Sequence, residues 1–145
     1  MNKNAWAFTF LPLLALMSFG CSTVEKGKRY DDAQLDSLKT AFVVMTAKGN
    51  WDIGMNIREA LAERGVQVTI GNLHDKPKEV AFYVTYTDIR KWDVSMYLHS
   101  LDIQFLDGAT DKLLASGSFR NSFFHSFPNE REKTFAVVES MYEAK

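Results

Sequence analysis

The chain has 145 residues, 17 basic and 18 acidic side chains, a 46% hydrophobic composition and one cysteine. That balance leaves no net positive field to argue for nucleic acid or an anionic surface as a partner. A lone cysteine also excludes an internal disulfide, so any folded body must rest on an ordinary apolar core.

The first element is not a folded one. Lys3 lies between Asn2 and Asn4, an apolar run follows from Ala5 to Met17, and Ser18-Phe19-Gly20 supplies small residues before Cys21. A basic start, an apolar stretch and a small-residue step form a secretory signal. The run is shorter than the roughly 20 residues a spanning helix requires. Residues 1–20 are therefore expected to be removed, which leaves 125 residues, with 16 basic residues facing 18 acidic ones. That length suits a single domain.

Residues 21–39 are expected to be a tether, because Ser22 to Asp32 is mostly polar and charged. Asp32 is a candidate cap for one turn through Leu35 and Leu38. The single domain is placed at 40–145. Its first strand is the continuous apolar run Ala41-Phe42-Val43-Val44-Met45, of the kind buried on both faces. A helix follows, capped by Asn50, with Asp52 near its positive end. Ile53, Ile57, Ala60 and Leu61 form one apolar stripe along it, and Gly65 ends it. Val66 to Ile70 alternates as a half-buried strand.

After a polar loop from Gly71 to Lys78, three long strand patterns dominate. They run from Val80 to Thr87, from Ser95 to Phe105 and from Lys112 to Asn121, with a turn expected near Arg90-Lys91-Trp92-Asp93 and another at Asp107 to Asp111. Leu101, Ile103 and Phe105 share one face of the middle strand. Leu113, Ala115, Gly117 and Phe119 share one face of the last, against Ser116, Ser118 and Arg120. A final helix opens at Pro128-Asn129, where Asn129 and Glu132 approximate a capping box, and Phe135, Val138, Met141 and Tyr142 point inward. The order β-α-β-β-β-β-α predicts an α+β fold. It is a two-layer sandwich with a mixed, mostly antiparallel sheet of about five strands and two helices on one face. The other face, with Asp102, Gln104, Ser116, Ser118 and Arg120, is expected to be solvated or open to a partner.

No catalytic constellation is visible. His74, His99 and His125 are not at metal-ligand spacing from one another, so neither a metal nor a cofactor is expected. The carboxylate pairs Asp31/Asp32 and Asp107/Asp111 fall in the tether and a turn. No Gly-x-Ser-x-Gly elbow or phosphate loop is present. One constellation rises above this background. Antiparallel pairing should bring Arg90, Lys91, Trp92 and Tyr97 to the same sheet rim as Phe123, Phe124, His125 and Phe127, a mixture of aromatic and basic groups typical of interface anchors. The alternative is that Phe123 and Phe127 plug the core beneath the last helix and Trp92 closes the end of the sheet.

The segment ending in Ser18-Phe19-Gly20-Cys21 resembles a bacterial lipoprotein signal, in which the cysteine is lipidated and becomes the mature N-terminus. Gly20 fits that box. Ser18 stands where the family usually carries Leu, so cleavage without lipidation stays open. Ser22, in place of Asp, implies the outer membrane in the family's sorting logic. Thr85-Tyr86-Thr87-Asp88, Lys91-Trp92-Asp93, Met96-Tyr97-Leu98, Leu114-Ala115-Ser116-Gly117-Ser118 and Phe127-Pro128 resemble a group of small, uncharacterised proteobacterial lipoproteins over about residues 40–142. That group has no established activity, so the resemblance carries over no functional residue. The layout is also similar to small α/β lipoproteins that assist envelope machines such as lipopolysaccharide assembly or peptidoglycan synthesis. The lipoprotein resemblance implies attachment to the membrane through Cys21, facing the periplasm. That anchor with its tether, together with the aromatic rim, leads to the expectation of a non-catalytic, lipid-anchored envelope protein that binds a protein partner. A small-molecule or lipid carrier is the alternative; it would need a cavity lined by Phe42, Ile57, Val84 and Leu101.

Overall fold

The computed structural model describes residues 23–31, 33–45, 50–121 and 127–144. The strands are β1 (Thr23–Arg29), β2 (Thr40–Val44), β3 (Gln67–Gly71), β4 (Phe82–Asp93), β5 (Ser95–Asp107) and β6 (Leu113–Arg120). The helices are α1 (Trp51–Glu63) and α2 (Glu130–Glu143). The strands form one six-stranded sheet in the order β1-β6-β5-β4-β2-β3. β2 pairs parallel to β3 and β4, and all other pairings are antiparallel. The fold is α+β, with six strands rather than about five.

The sixth strand is β1, and it corrects the tether expected at residues 21–39. Thr23 to Arg29 pairs antiparallel with β6, Thr23 opposite Arg120 and Arg29 opposite Ala115. An edge strand needs backbone partners rather than an apolar face, so a polar sequence can form one. Gly27 makes the seat possible: a Cβ there would collide with the α2 backbone at Ser140 and Met141. The Arg29 guanidinium adds a bond from Nε to the Met141 carbonyl at 3.1 Å. Further on, Leu35 is fully buried in a short 3-10 turn, Leu35–Ser37, whose cap position is Gln34. Asp32, the expected cap, lies outside the described residues.

Both helices begin as their sequences predict. The Asn50 side chain accepts from the Asp52 amide at 2.8 Å, and the Asn129 side chain accepts from the Glu132 amide at 3.0 Å. Gly65 takes φ of 78° just past α1, the left-handed conformation that ends helices at little cost to glycine. The helices lie side by side on one face of the sheet, clasped by a two-pronged bond from Arg131 to Glu59 (3.1 and 2.9 Å). The core lies between these layers. Ile53, Ile57 and Leu61 of α1 and Val137, Val138 and Met141 of α2 close over Val43, Phe82, Val84, Leu101, Ile103, Phe105 and Phe119.

The opposite face carries a smaller apolar cluster, Phe42, Val44, Val80 and Tyr83. There Lys76 of the 71–80 loop holds its ammonium 4.4 Å from the centre of the Tyr83 ring and donates to the Gly108 carbonyl at 2.7 Å. Beyond that cluster the middle of the face is polar, with Thr85, Thr87, Asp102, Gln104, Ser116 and Arg120, and apolar groups return at Ile89 and Tyr97. Arg120 binds both Asp102 oxygens, at 2.8 and 3.0 Å.

Candidate functional site

The site is built by the length of two strands. β4 and β5 run in register from Phe82–Asp107 to Asp93–Ser95, well past the point where β6 stops opposite Ser100. Residues 89–100 therefore form a two-stranded arm projecting from the end of the sheet. His99 is the extra residue of a bulge where the arm begins, between the pairs Ile89–Ser100 and Arg90–Leu98. Such bulges increase local twist. Val94 turns the chain at the tip with φ of 58°, a left-handed conformation that a β-branched residue rarely takes.

This placement changes the expected rim. Arg90, Lys91, Trp92 and Asp93 are strand residues, not the turn, so the strand alternation divides them between two faces. Arg90 and Trp92 continue the helix-covered face of Phe82, Val84 and Tyr86, with Leu98 and Met96 opposite them; Lys91 and Tyr97 pair on the other face. Arg90 is tied to Glu130 of α2 at 2.7 Å and to Asp88 at 3.4 Å, so it fastens the root of the arm and is not a free contact group. Burial alone would lower its pKa, but the Glu130 bond and the carboxylates of Glu130 and Asp88 raise it. Tyr97 is buried, with the Phe127 ring meeting it edge-on at a centroid distance of 5.9 Å.

What stays exposed is apolar. Trp92 is 72% exposed and Val94 86%, with Met96 and Ile89 also more than half exposed. Phe127 covers Tyr97 yet leaves more than half of itself in solvent. Trp92 and Phe127 thus share one end of the sheet while sitting with opposite faces of the arm. Phe123, Phe124 and His125 lie outside the described residues, as does Cys21. Trp51, 60% exposed, was absent from the expected rim. It opens α1 beside the root of the arm, where the Asn50 amide donates to Asp88 at 3.2 Å and the Tyr86 hydroxyl donates to the Asn50 carbonyl at 3.0 Å. Its signal was in the sequence: two residues before Ile53, it falls far off the apolar stripe of its own helix. Among the described residues, six of the seven exposed large hydrophobic side chains (Trp51, Ile89, Trp92, Val94, Met96 and Phe127) stand at this one end, and Leu73 is the seventh.

Elsewhere the chemistry is sparse. Among the described residues, no three His, Cys, Asp or Glu side chains gather where they could hold a metal ion, and no helix is long and apolar enough to cross a membrane. A cleft of about 330 Å³ lies between the 35–39 segment and the ends of both helices, lined by Leu35, Lys39, Glu63, Arg64 and Tyr142 among others. Among the described residues, the buried Tyr142 hydroxyl has no hydrogen-bond partner. Burial pushes its pKa up to about 12. The Arg64 guanidinium stacks over that ring at 4.0 Å. The residues expected to line a carrier cavity do not share one space, because Phe42 packs on the opposite side of the sheet from Ile57, Val84 and Leu101.

No protein-family model matches the chain, and no curated protein does. Among solved structures the fold is similar to that of a single-substitution variant of the PelC dodecamer from Paraburkholderia phytofirmans. Their TM-score is 0.57 at 12% identity, over 86% of this chain and 100% of the other. A second PelC dodecamer structure from the same organism gives 0.54 at 14% identity, over 86% and 99%. A PDZ domain protein from Parabacteroides distasonis gives 0.50 at 13% identity, over 80% of this chain but 34% of that one. At such identities the likeness shows the fold alone.

Proposed function

We propose that this chain is a non-catalytic, lipid-anchored protein of the bacterial cell envelope, an accessory domain that works by binding a protein partner beside the membrane. In this reading Cys21 carries the lipid and the domain faces the periplasm, in the outer membrane by the sorting logic of Ser22. The observation that carries it is the one-ended surface. A well-packed domain that gathers six exposed large apolar side chains at one end is built for contact. At the root of that end Ile89 and Phe127, both more than half exposed, are the surface offered to the protein partner. An anchor raises the local concentration of partners held at the same membrane, so a modest interface is sufficient. The dodecamer named for the PelC structures is a precedent for assembly by this fold.

The test is intact mass and membrane fractionation in a Gram-negative host, beside Cys21→Ala, with a photo-cross-linker at Ile89. The reading expects acyl chains on Cys21, release or failed processing of the variant, and a protein adduct at Ile89. An unacylated, freely soluble chain removes the anchor. Acylation with no protein adduct removes the partner.

A further inference from the structure

The register of the sheet says where an anchor would sit relative to the arm. Thr23 lies opposite Arg120, Arg120 opposite Ser100, and Ser100 opposite Ile89, so the start of β1 is level with the root of the arm. Cys21 is two residues before Thr23, within about 7 Å of chain length. From Ile89 to Val94 the arm continues five residues further in the same direction, about 16 Å at strand rise. A bilayer holding lipid on Cys21 therefore meets the tip of the arm before it meets the rest of the domain.

We propose that the arm is a second membrane contact, with Trp92, Val94 and Met96 seated in the interfacial layer of the bilayer that holds Cys21. This rests on the anchored reading and adds the depth and side of the domain that face the lipid. The chemistry at the tip fits lipid better than water or a charged partner surface. Trp92 and Met96 pair on one face of the arm with Val94 at its turn, while Lys91, Asp93 and Ser95 lie on the other face toward the headgroups. Tryptophan, an apolar body with one N–H, is enriched where hydrocarbon meets headgroups. With Cys21 up to about 7 Å beyond Thr23 and the tip about 16 Å beyond Ile89, the tip passes the anchor by about 9 Å, within the roughly 5–10 Å to which interfacial apolar faces sink. Trp51, level with Asp88 at the root, stays at the outer boundary of the headgroups. Arg90 locked to Glu130 and Asp88 keeps the arm extended from the sheet. Lipid is the occupant the anchor itself guarantees, without any further association.

The test uses the acylated full-length mature protein in vesicles of phosphatidylethanolamine and phosphatidylglycerol with brominated acyl chains. Of three tryptophans in the sequence, Trp6 leaves with the signal, so Trp51→Phe and Trp92→Phe each leave one reporter. Trp92 should lose about half its emission to the bromines, at the depth of an interfacial side chain, and Trp51 much less. Val94→Asp with Met96→Asp should relieve the Trp92 quenching while the protein stays vesicle-bound through Cys21. Acylated, vesicle-bound protein whose Trp92 is unquenched by bromine, with the arm in water or against a protein, overturns the proposal. Intact mass on the same sample separates the two failures: a chain without acyl groups fails at the anchor and takes this inference with it.

Discussion

β4 and β5 are each two strands in one. From Phe82 to Asp88 and from Leu101 to Asp107 the ladder lies beneath two helices, and Phe82, Val84, Leu101, Ile103 and Phe105 are fully buried. From Ile89 to Ser100 the same ladder continues with Trp92, Val94 and Met96 in solvent. The boundary is set by the helices, since α1 starts beside Asp88 and α2 starts with Glu130 on Arg90. Beyond them a two-stranded ribbon has no layer to bury against and is marginal by itself. Arg90, the buried Leu98 and the Tyr97–Phe127 contact hold it at the root. One hairpin thus combines a rigid base with an exposed apolar tip, and sequence hydrophobicity does not distinguish the two halves.

Substitutions can sharpen or break that division, beginning with the base. Phe105→Ala should cost about 3–5 kcal/mol, read as a fall in thermal midpoint. Phe105 is wholly buried and meets Phe82 at 5.1 Å and Tyr142 at 6.1 Å between ring centroids. Gly27→Val should cost about 1–3 kcal/mol in a denaturant titration, because any Cβ there meets the α2 backbone. Were residues 23–29 only a tether, that change would be silent.

A pH series tests the buried tyrosines of the base. Burial raises Tyr86 and Tyr142 from 10.0 to about 12. Folding therefore favours their protonated forms, so their contribution is complete below about pH 10 and declines as pH rises toward 12. Tyr142→Phe removes a buried hydroxyl without a partner, so it should be near neutral at pH 7 and should flatten the alkaline loss of stability. The smallest effect belongs to the tip. Trp92→Ser should change folding stability by less than about 0.5 kcal/mol, and a loss comparable to that of Phe105→Ala would erase the distinction between base and arm.

The sequence carried the base of the fold well, for physical reasons that can be named. The stripe Ile53, Ile57, Ala60, Leu61 and the alternation Leu101, Ile103, Phe105 both record burial on one face. β1 was not legible because an edge strand is specified by backbone pairing, and Gly27 marks a close approach visible only once α2 is in place. The arm was half legible. Trp92 and Tyr97 stood out as aromatics among charges, but placing the turn at residues 90–93 rather than at Val94 hid the alternation that puts them on opposite faces. Trp51 required the helix and the arm to be seen at the same end of the sheet.

Hydrogen–deuterium exchange on the acylated protein, bound to vesicles, against soluble Cys21→Ala, tests the central claim most directly. The account predicts that vesicles slow exchange in residues 89–96 and leave the amides of residues 101–107 and of α1, already protected by packing, unchanged. Equal exchange of the arm on and off the bilayer would contradict it.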